Sequence, residues 1–413
     1  MKLPNLKNRW KGLLLFFAVA GPGIITSNVD NDAGGIATYS MAGSHFGNGL
    51  LWSLLPIMLA LIVVQEMSAR MGVVTGKGLS DLIRERFGVK ITVYVLIGVV
   101  LTNFGNVIAE FAGVASSLEI FRVPKYVSVP LSAIFVWLLV VKGTYRSVEK
   151  IFLYACLFYV TYIVSGILAR PDWGEIGTSL VRPSFDFSPG PLAMMIGLVG
   201  TTIAPWMQFY LQASIVEKNV LAKDYKNSRL DVIIGSVVVT VVAGFIVLTC
   251  AATLFKAGVK VETAADAALA LAPLAGKYCS ALFAFGLLNA SLFAASILPL
   301  STAFLVCEGM GWETGINKKF SEAPQFYGLY SLLIFLGAGI ILIPGIPLFP
   351  VMYISQVVNG IVLPVVLVFM ILLISNKKLM GEYANKKAWN IVSWATVVIL
   401  CALTAAYIIT LIV

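Results

Sequence analysis

Histidine is nearly absent from this chain: its 413 residues include one, His45. That excludes a zinc centre built on imidazoles and a histidine proton relay. The five cysteines, Cys156, Cys250, Cys279, Cys307 and Cys401, are isolated, odd in number and free of any Cys-x-x-Cys spacing. They read as small buried hydrophobes rather than disulfides or a thiolate metal site. Charge is scarce as well, at 12% of residues, against 59% hydrophobic residues and a mean hydropathy of +0.93. No soluble core could hide that much apolar surface, so the composition specifies a polytopic membrane protein. Intramembrane catalysis is not supported, because Ser27, Thr38 and Ser40 have no base to activate them.

Runs of about 20 apolar residues, the length that crosses a hydrocarbon layer of about 30 Å, number eleven. They lie near 13–45, 49–73, 91–121, 127–142, 151–169, 190–217, 230–256, 278–309, 325–343, 349–375 and 388–412. With the N-terminus in the cytoplasm, 22 of the 29 Lys and Arg fall on that side and 7 on the other. The positive-inside rule therefore predicts a cytoplasmic N-terminus and an external C-terminus in the cell membrane. The net charge of +9 is an orientation signal spread over short loops, not a nucleic-acid footprint. Lys2, Lys7, Arg9 and Lys11 precede the first apolar run as in a signal peptide, but no clean cleavage site follows. The longest polar stretches, 170–191 and 308–324, are only loop-sized, so the chain reads as one transmembrane domain with no soluble module.

Within the first apolar run stands Asn28-Val29-Asp30-Asn31-Asp32-Ala33-Gly34-Gly35. A carboxylate at membrane depth costs about 2.5–3.5 kcal/mol on insertion scales, and it faces a cavity or a partner. Gly34 and Gly35 loosen a helix there. Five spans later, Gly200-Thr201-Thr202-Ile203-Ala204-Pro205 repeats a polar, broken segment. Pro205 lacks a donor and frees a carbonyl near Thr201. An odd number of spans per unit inverts the second unit, the pattern of inverted-repeat secondary transporters. The expected fold is all-α: eleven transmembrane helices, with a LeuT-like 5+5 inverted repeat and broken helices 1 and 6. The units would be 1–169 and 190–375, followed by an extra helix at 388–412.

The segment GPGIITSNVDNDAGGIATYS (21–40) resembles the first-helix signature of the Nramp divalent-metal transporters: Gly-Pro-Gly, then Asp-Pro-Gly-Asn, then Ala-Thr. Residues 65–87 (QEMSARMGVVTGKGLSDLIRERF) resemble the family's second helix and following loop, and Ile108-Ala109-Glu110-Phe111 its third helix. Ser355-Gln356-Val357-Val358 and Leu379-Met380-Gly381-Glu382 resemble its tenth helix and the loop after it. Asp32 matches the metal-binding Asp. The motif's Asn is Gly35 here, and the sixth helix's Met-Pro-His is Ala204-Pro205-Trp206. The third-helix Asp falls at Val107, leaving Glu110 alone of that pair.

Loss of the thioether removes the soft ligand, whereas carboxylate, carbonyl and water suit Mg²⁺, which keeps part of its hydration. The pattern resembles the Nramp-related magnesium transporter branch and implies Mg²⁺ uptake by alternating access without proton coupling, with Mn²⁺ also accepted. The implied metal set is Asp32, Gly35, the carbonyls of Val29, Thr201 and Ala204, and the amide oxygen of Gln356. Asp30, Asn31, Gln208 and Glu110 are expected in a vestibule or around the site, and Glu66 is expected to pair with Arg70. No cofactor, nucleic acid or obligate protein partner is expected beside the ion and the bilayer. The alternatives are a proton-coupled Mn²⁺ or Fe²⁺ Nramp transporter and a sodium-coupled amino-acid transporter of the same architecture. Asp32 argues against an anionic substrate at the break.

Overall fold

The structure, a computed structural model, describes residues 22–142 and 159–412. The basic N-terminal tail, Gly21, Cys156 and the first half of the fifth span lie outside the described residues. All regular elements described are helical. The first span is two pieces, α1 (Pro22–Val29) and α2 (Ala33–Phe46), followed by α3 (Leu51–Thr75) and a short α4 (Leu79–Phe87). Next come α5 (Val89–Glu119), α6 (Lys125–Val141), α7 (Val160–Leu168) and α8 (Trp173–Val181). The sixth span is again two pieces, α9 (Pro189–Thr202) and α10 (Pro205–Glu217). The chain continues through α11 (Tyr225–Cys250), α12 (Cys279–Met310), α13 (Pro324–Ile341), α14 (Leu348–Ile374) and α15 (Lys387–Ile412). Among the described residues, 8 helical segments are long and apolar enough to cross a membrane, and α6 is a shorter apolar helix. The described helices fall on the spans expected from the sequence, the first from residue 22 onward and the fifth in its second half alone.

Two loop segments read as irregular are helical instead. In α4, LSDLIRERF, the apolar Leu79, Leu82 and Ile83 are buried against the bundle while the charged residues face away. Helix α8 starts at Asp172, whose carboxylate accepts from the N–H groups of Gly174 and Glu175.

The burial pattern is that of a protein turned toward lipid. Leu59, Leu101, Leu131 and Val398 are exposed, whereas Asp30, Asp32, Gln65, Glu110, Gln356 and Asn359 are buried. Few residues of α15 are buried, consistent with an added peripheral helix. Helix α5 packs extensively on α12 and α14, and α11 packs on α1, α2 and α3. Close approach depends on missing side chains. A Cβ on Gly200 of α9 would sit 1.9 Å from the Gln356 carbonyl of α14, and one on Gly360 would sit 2.4 Å from the Ile196 carbonyl. Small residues let membrane helices close to van der Waals contact where no hydrophobic effect drives them together.

Gly200→Ala must therefore part α9 from α14, at about 1–3 kcal/mol, and is expected to lower the melting temperature in detergent. Gly339→Ala on α13, where no atom lies within 4 Å of the added carbon, should leave it unchanged.

Candidate functional site

Both broken spans fail to continue for local reasons. Asp32 takes extended backbone angles (φ −70°, ψ −171°) and caps α2, its carboxylate accepting from Gly35 N–H at 2.7 Å. In an unbroken helix, Ala33 N–H would donate to the Val29 carbonyl. Here it donates to Glu110 Oε2 of α5 at 3.3 Å, which leaves the Val29 carbonyl without that intrahelical bond. At the second break, Ala204 is extended (φ −66°, ψ 143°) because it precedes Pro205, the first residue of α10. Proline has no N–H for the Thr201 carbonyl. The far end of α1 is held by Asp231 of α11, which accepts from Gly23 N–H at 2.7 Å.

The breaks meet one another. An ideal Cβ on Gly35 would lie 2.4 Å from the Asp30 carbonyl and 3.1 Å from Thr201 Oγ1. Tyr39 of α2 shares a 2.8 Å hydrogen bond with Thr202 of α9. From α14, Gln356 lies against Gly34, its Nε2 1.8 Å from where a Cβ would stand. Val29, Asp32, Gly35, Thr201, Ala204 and Gln356 are thus gathered around the two discontinuities.

Several expected roles change in detail. Gln356 Oε1, the expected ligand atom, accepts from Asn359 Nδ2 at 2.8 Å. Asn359 and Asn106 of α5 exchange a reciprocal pair of 3.0 Å bonds. Gln208 does not open onto a vestibule. With its amide nitrogen turned to the break, it donates to the carbonyls of Ala204 (2.7 Å) and Pro205 (2.9 Å). Met207 N–H also donates to the Ala204 carbonyl, at 3.1 Å, so ligation by Ala204 requires Gln208 to release it. Asp30 and Asn31 are not on an open vestibule wall either: they are 2% and 0% exposed. Both carboxylate oxygens of Asp30 and both side-chain atoms of Asn31 lack a hydrogen-bond partner. Sequence reasoning missed Asn106 and Asn359; amides at mid-span were the available signal.

Glu66 and Arg70 pair as expected, at 3.1 Å, inside a larger cluster. The Tyr225 hydroxyl also donates to Glu66, and Arg70 donates to the Tyr383 carbonyl (2.9 Å) and Asn385 Oδ1 (2.5 Å). This cluster ties α3 and α11 to the segment before α15. At the opposite end, a cleft of about 1050 Å³ is lined by Met41, His45, Glu119, Glu262 and Tyr353, one helical turn before Gln356.

Residues 23–410 match the sequence profile described as natural resistance-associated macrophage protein-like, Nramp. The chain belongs to the Nramp family. Among curated Nramp relatives, the divalent metal cation transporter MntH of Ralstonia nicotianae is 32% identical, with 93% of this chain and 88% of that protein covered. MntH of Deinococcus radiodurans is 27% identical, over 95% of this chain and 90% of that one. Among solved structures, the Eremococcus coleocola manganese transporter superposes with a TM-score of 0.77 at 23% identity, covering 99% and 88% of the two chains. Mhp1, a nucleobase-cation-symport-1 family transporter, superposes with 0.59 at 13% identity, covering 95% and 90%. These likenesses establish the Nramp fold with its inverted repeat and two broken helices.

In this Nramp protein, Asn359→Ala would strand the buried amides of Asn106 and Gln356, at a cost of about 1–3 kcal/mol. The expected result is a lower melting temperature, read by scanning fluorimetry in detergent.

Proposed function

We propose that this Nramp protein carries divalent metal ions across the cell membrane by alternating access, with Mg²⁺ as its principal cargo and Mn²⁺ also accepted. The observation that carries the reading is the donor set at the breaks: the Asp32 carboxylate, the carbonyls freed at Val29 and Thr201, and amide oxygen, with alanine at 204 and tryptophan at 206. Mg²⁺ is held through one or two carboxylates and keeps several waters, and soft sulfur ligands add nothing for it.

The reading extends to coupling. Glu110 is engaged by the Ala33 N–H, Val107 is apolar, and α5 meets α14 through neutral amides. Of the positions that the family resemblance implies for proton coupling, Trp206 and Val107 carry no titratable group, which leaves Glu110 alone. A divalent cation moving inward down 100 mV gains about 4.6 kcal/mol, twice the single-charge figure, so uptake needs no second ion. With the N-terminus cytoplasmic and the C-terminus outside, the cleft beside Tyr353 opens outward and the Glu66–Arg70 cluster closes the inner end. The domain reading is a first unit at 1–169, an inverted second at 190–375 and an accessory helix at 388–412.

The second reading is proton-coupled Mn²⁺ transport, and its cargo is that of the Eremococcus coleocola manganese transporter, whose fold this chain shares. Proteoliposomes holding a magnesium dye and a pH dye, under an inside-negative potential, separate the two. The expected outcome is Mg²⁺ entry without acidification, reduced at least tenfold by Asp32→Asn, which keeps a capping oxygen but removes the charge. Mn²⁺ entry with acidification and no Mg²⁺ entry would establish the second reading instead.

A further inference from the structure

Asp30 is the residue at the first break that the site described so far leaves without a role. It is 2% exposed, and neither of its carboxylate oxygens has a hydrogen-bond partner. It stands two residues before Asp32 at the same break, and Tyr39 of the helix that follows shares a hydrogen bond with Thr202 across the seam between the broken spans. A carboxylate removed from water with no partner is costly, and a second carboxylate beside it adds repulsion. The buried guanidinium of Arg70 is engaged by Glu66, Tyr383 and Asn385. A cation entering the break would relieve both terms.

The backbone of the same residue has a second relation to the site. The Asp30 carbonyl stands 2.4 Å from the point where a Cβ on Gly35 would be, and Thr201 Oγ1 stands 3.1 Å from it. A real Cβ does not approach a backbone oxygen that closely, so any side chain at 35 would push the Asp30 carbonyl out of its place. The glycine at 35 therefore does more than omit an amide ligand. Its missing side chain leaves room for two oxygens, one from the backbone of Asp30 and one from the hydroxyl of Thr201.

We infer that Asp30 is a second anionic ligand of the transported divalent cation, its backbone carbonyl seated in the space that Gly35 leaves. This rests on the reading of Asp32 as a ligand. Two carboxylates with carbonyl and hydroxyl oxygens around a partly hydrated ion form a hard donor set, and raising the ligand charge raises affinity for a hard cation. Asp32 stays tied to the α2 cap while Asp30 supplies the freer carboxylate, directly or through the ion's retained water.

The test is calorimetric titration of the purified full-length protein in nanodiscs with Mg²⁺ and Mn²⁺, with melting temperature measured in chelator. Asp30→Asn is isosteric and should weaken Mg²⁺ binding at least tenfold without lowering the metal-free melting temperature. Gly35→Ala leaves every carboxylate in place yet should weaken it comparably, because the Asp30 carbonyl must move. Should Asp30→Asn not be recovered folded, Asp30→Ser carries the test by the same titration. If Asp30→Asn binds Mg²⁺ within twofold of the wild type while Asp32→Asn loses it, the inference about Asp30 is overturned, whatever Gly35→Ala does, and the Asp32 site stands. If Asp32→Asn itself binds within twofold, the failure lies in the site reading on which this inference rests.

Discussion

The bond from Ala33 N–H to the Glu110 carboxylate is the interaction on which the rest of the site depends. A helix interrupted inside a bilayer exposes donors and acceptors that no water can satisfy, and each left unmet costs several kcal/mol. By accepting from Ala33 at 3.3 Å, Glu110 of α5 takes the donor that would otherwise close onto Val29. The Val29 carbonyl is then left without that bond, at the break that carries Asp30 and Asp32. The second break uses a different device, since Pro205 removes the competing donor covalently. One discontinuity is thus written into a single residue, while the other is held open by a neighbouring helix.

That difference gives the two breaks different dependence on packing. Helix α5 reaches the first break because it is wedged between α12 and α14. Its inward face also carries Asn106, which locks to Asn359 and through it to Gln356. A displacement of α5 would disturb the donor at Ala33 and the amide ladder together. Alternating access requires such shared elements, because an ion site can respond to helix movement only if the moving helices hold its parts.

Much of the architecture was legible in the chain. The spans stood out because apolar runs have no alternative to crossing the bilayer, and the breaks stood out because Asp30, Asp32 and Pro205 are costly inside it. The pairing of Glu66 with Arg70 was legible from one helical turn of spacing. The enlargement of that pair by Tyr225, Tyr383 and Asn385 was not, because those residues lie more than 150 positions away. The partners of Gln208 were not legible for a related reason. Its position one turn past the break suggested a wall of the ion path, but its amide nitrogen reaches back to the carbonyls of Ala204 and Pro205 in the preceding turn.

By itself the sequence determined the membrane class, the order of the spans, the location of both breaks and the oxygen-rich, sulfur-poor character of the residues there. These follow from hydropathy, proline geometry and donor chemistry, which are properties of residues and their near neighbours. The tertiary structure decided which oxygens are free. It engaged the Ala204 carbonyl and the Gln356 amide oxygen, released the Val29 carbonyl, and buried Asp30 without a partner beside Gly35. Hydrogen-bond competition among groups far apart in sequence is settled only when the helices carrying them are packed together.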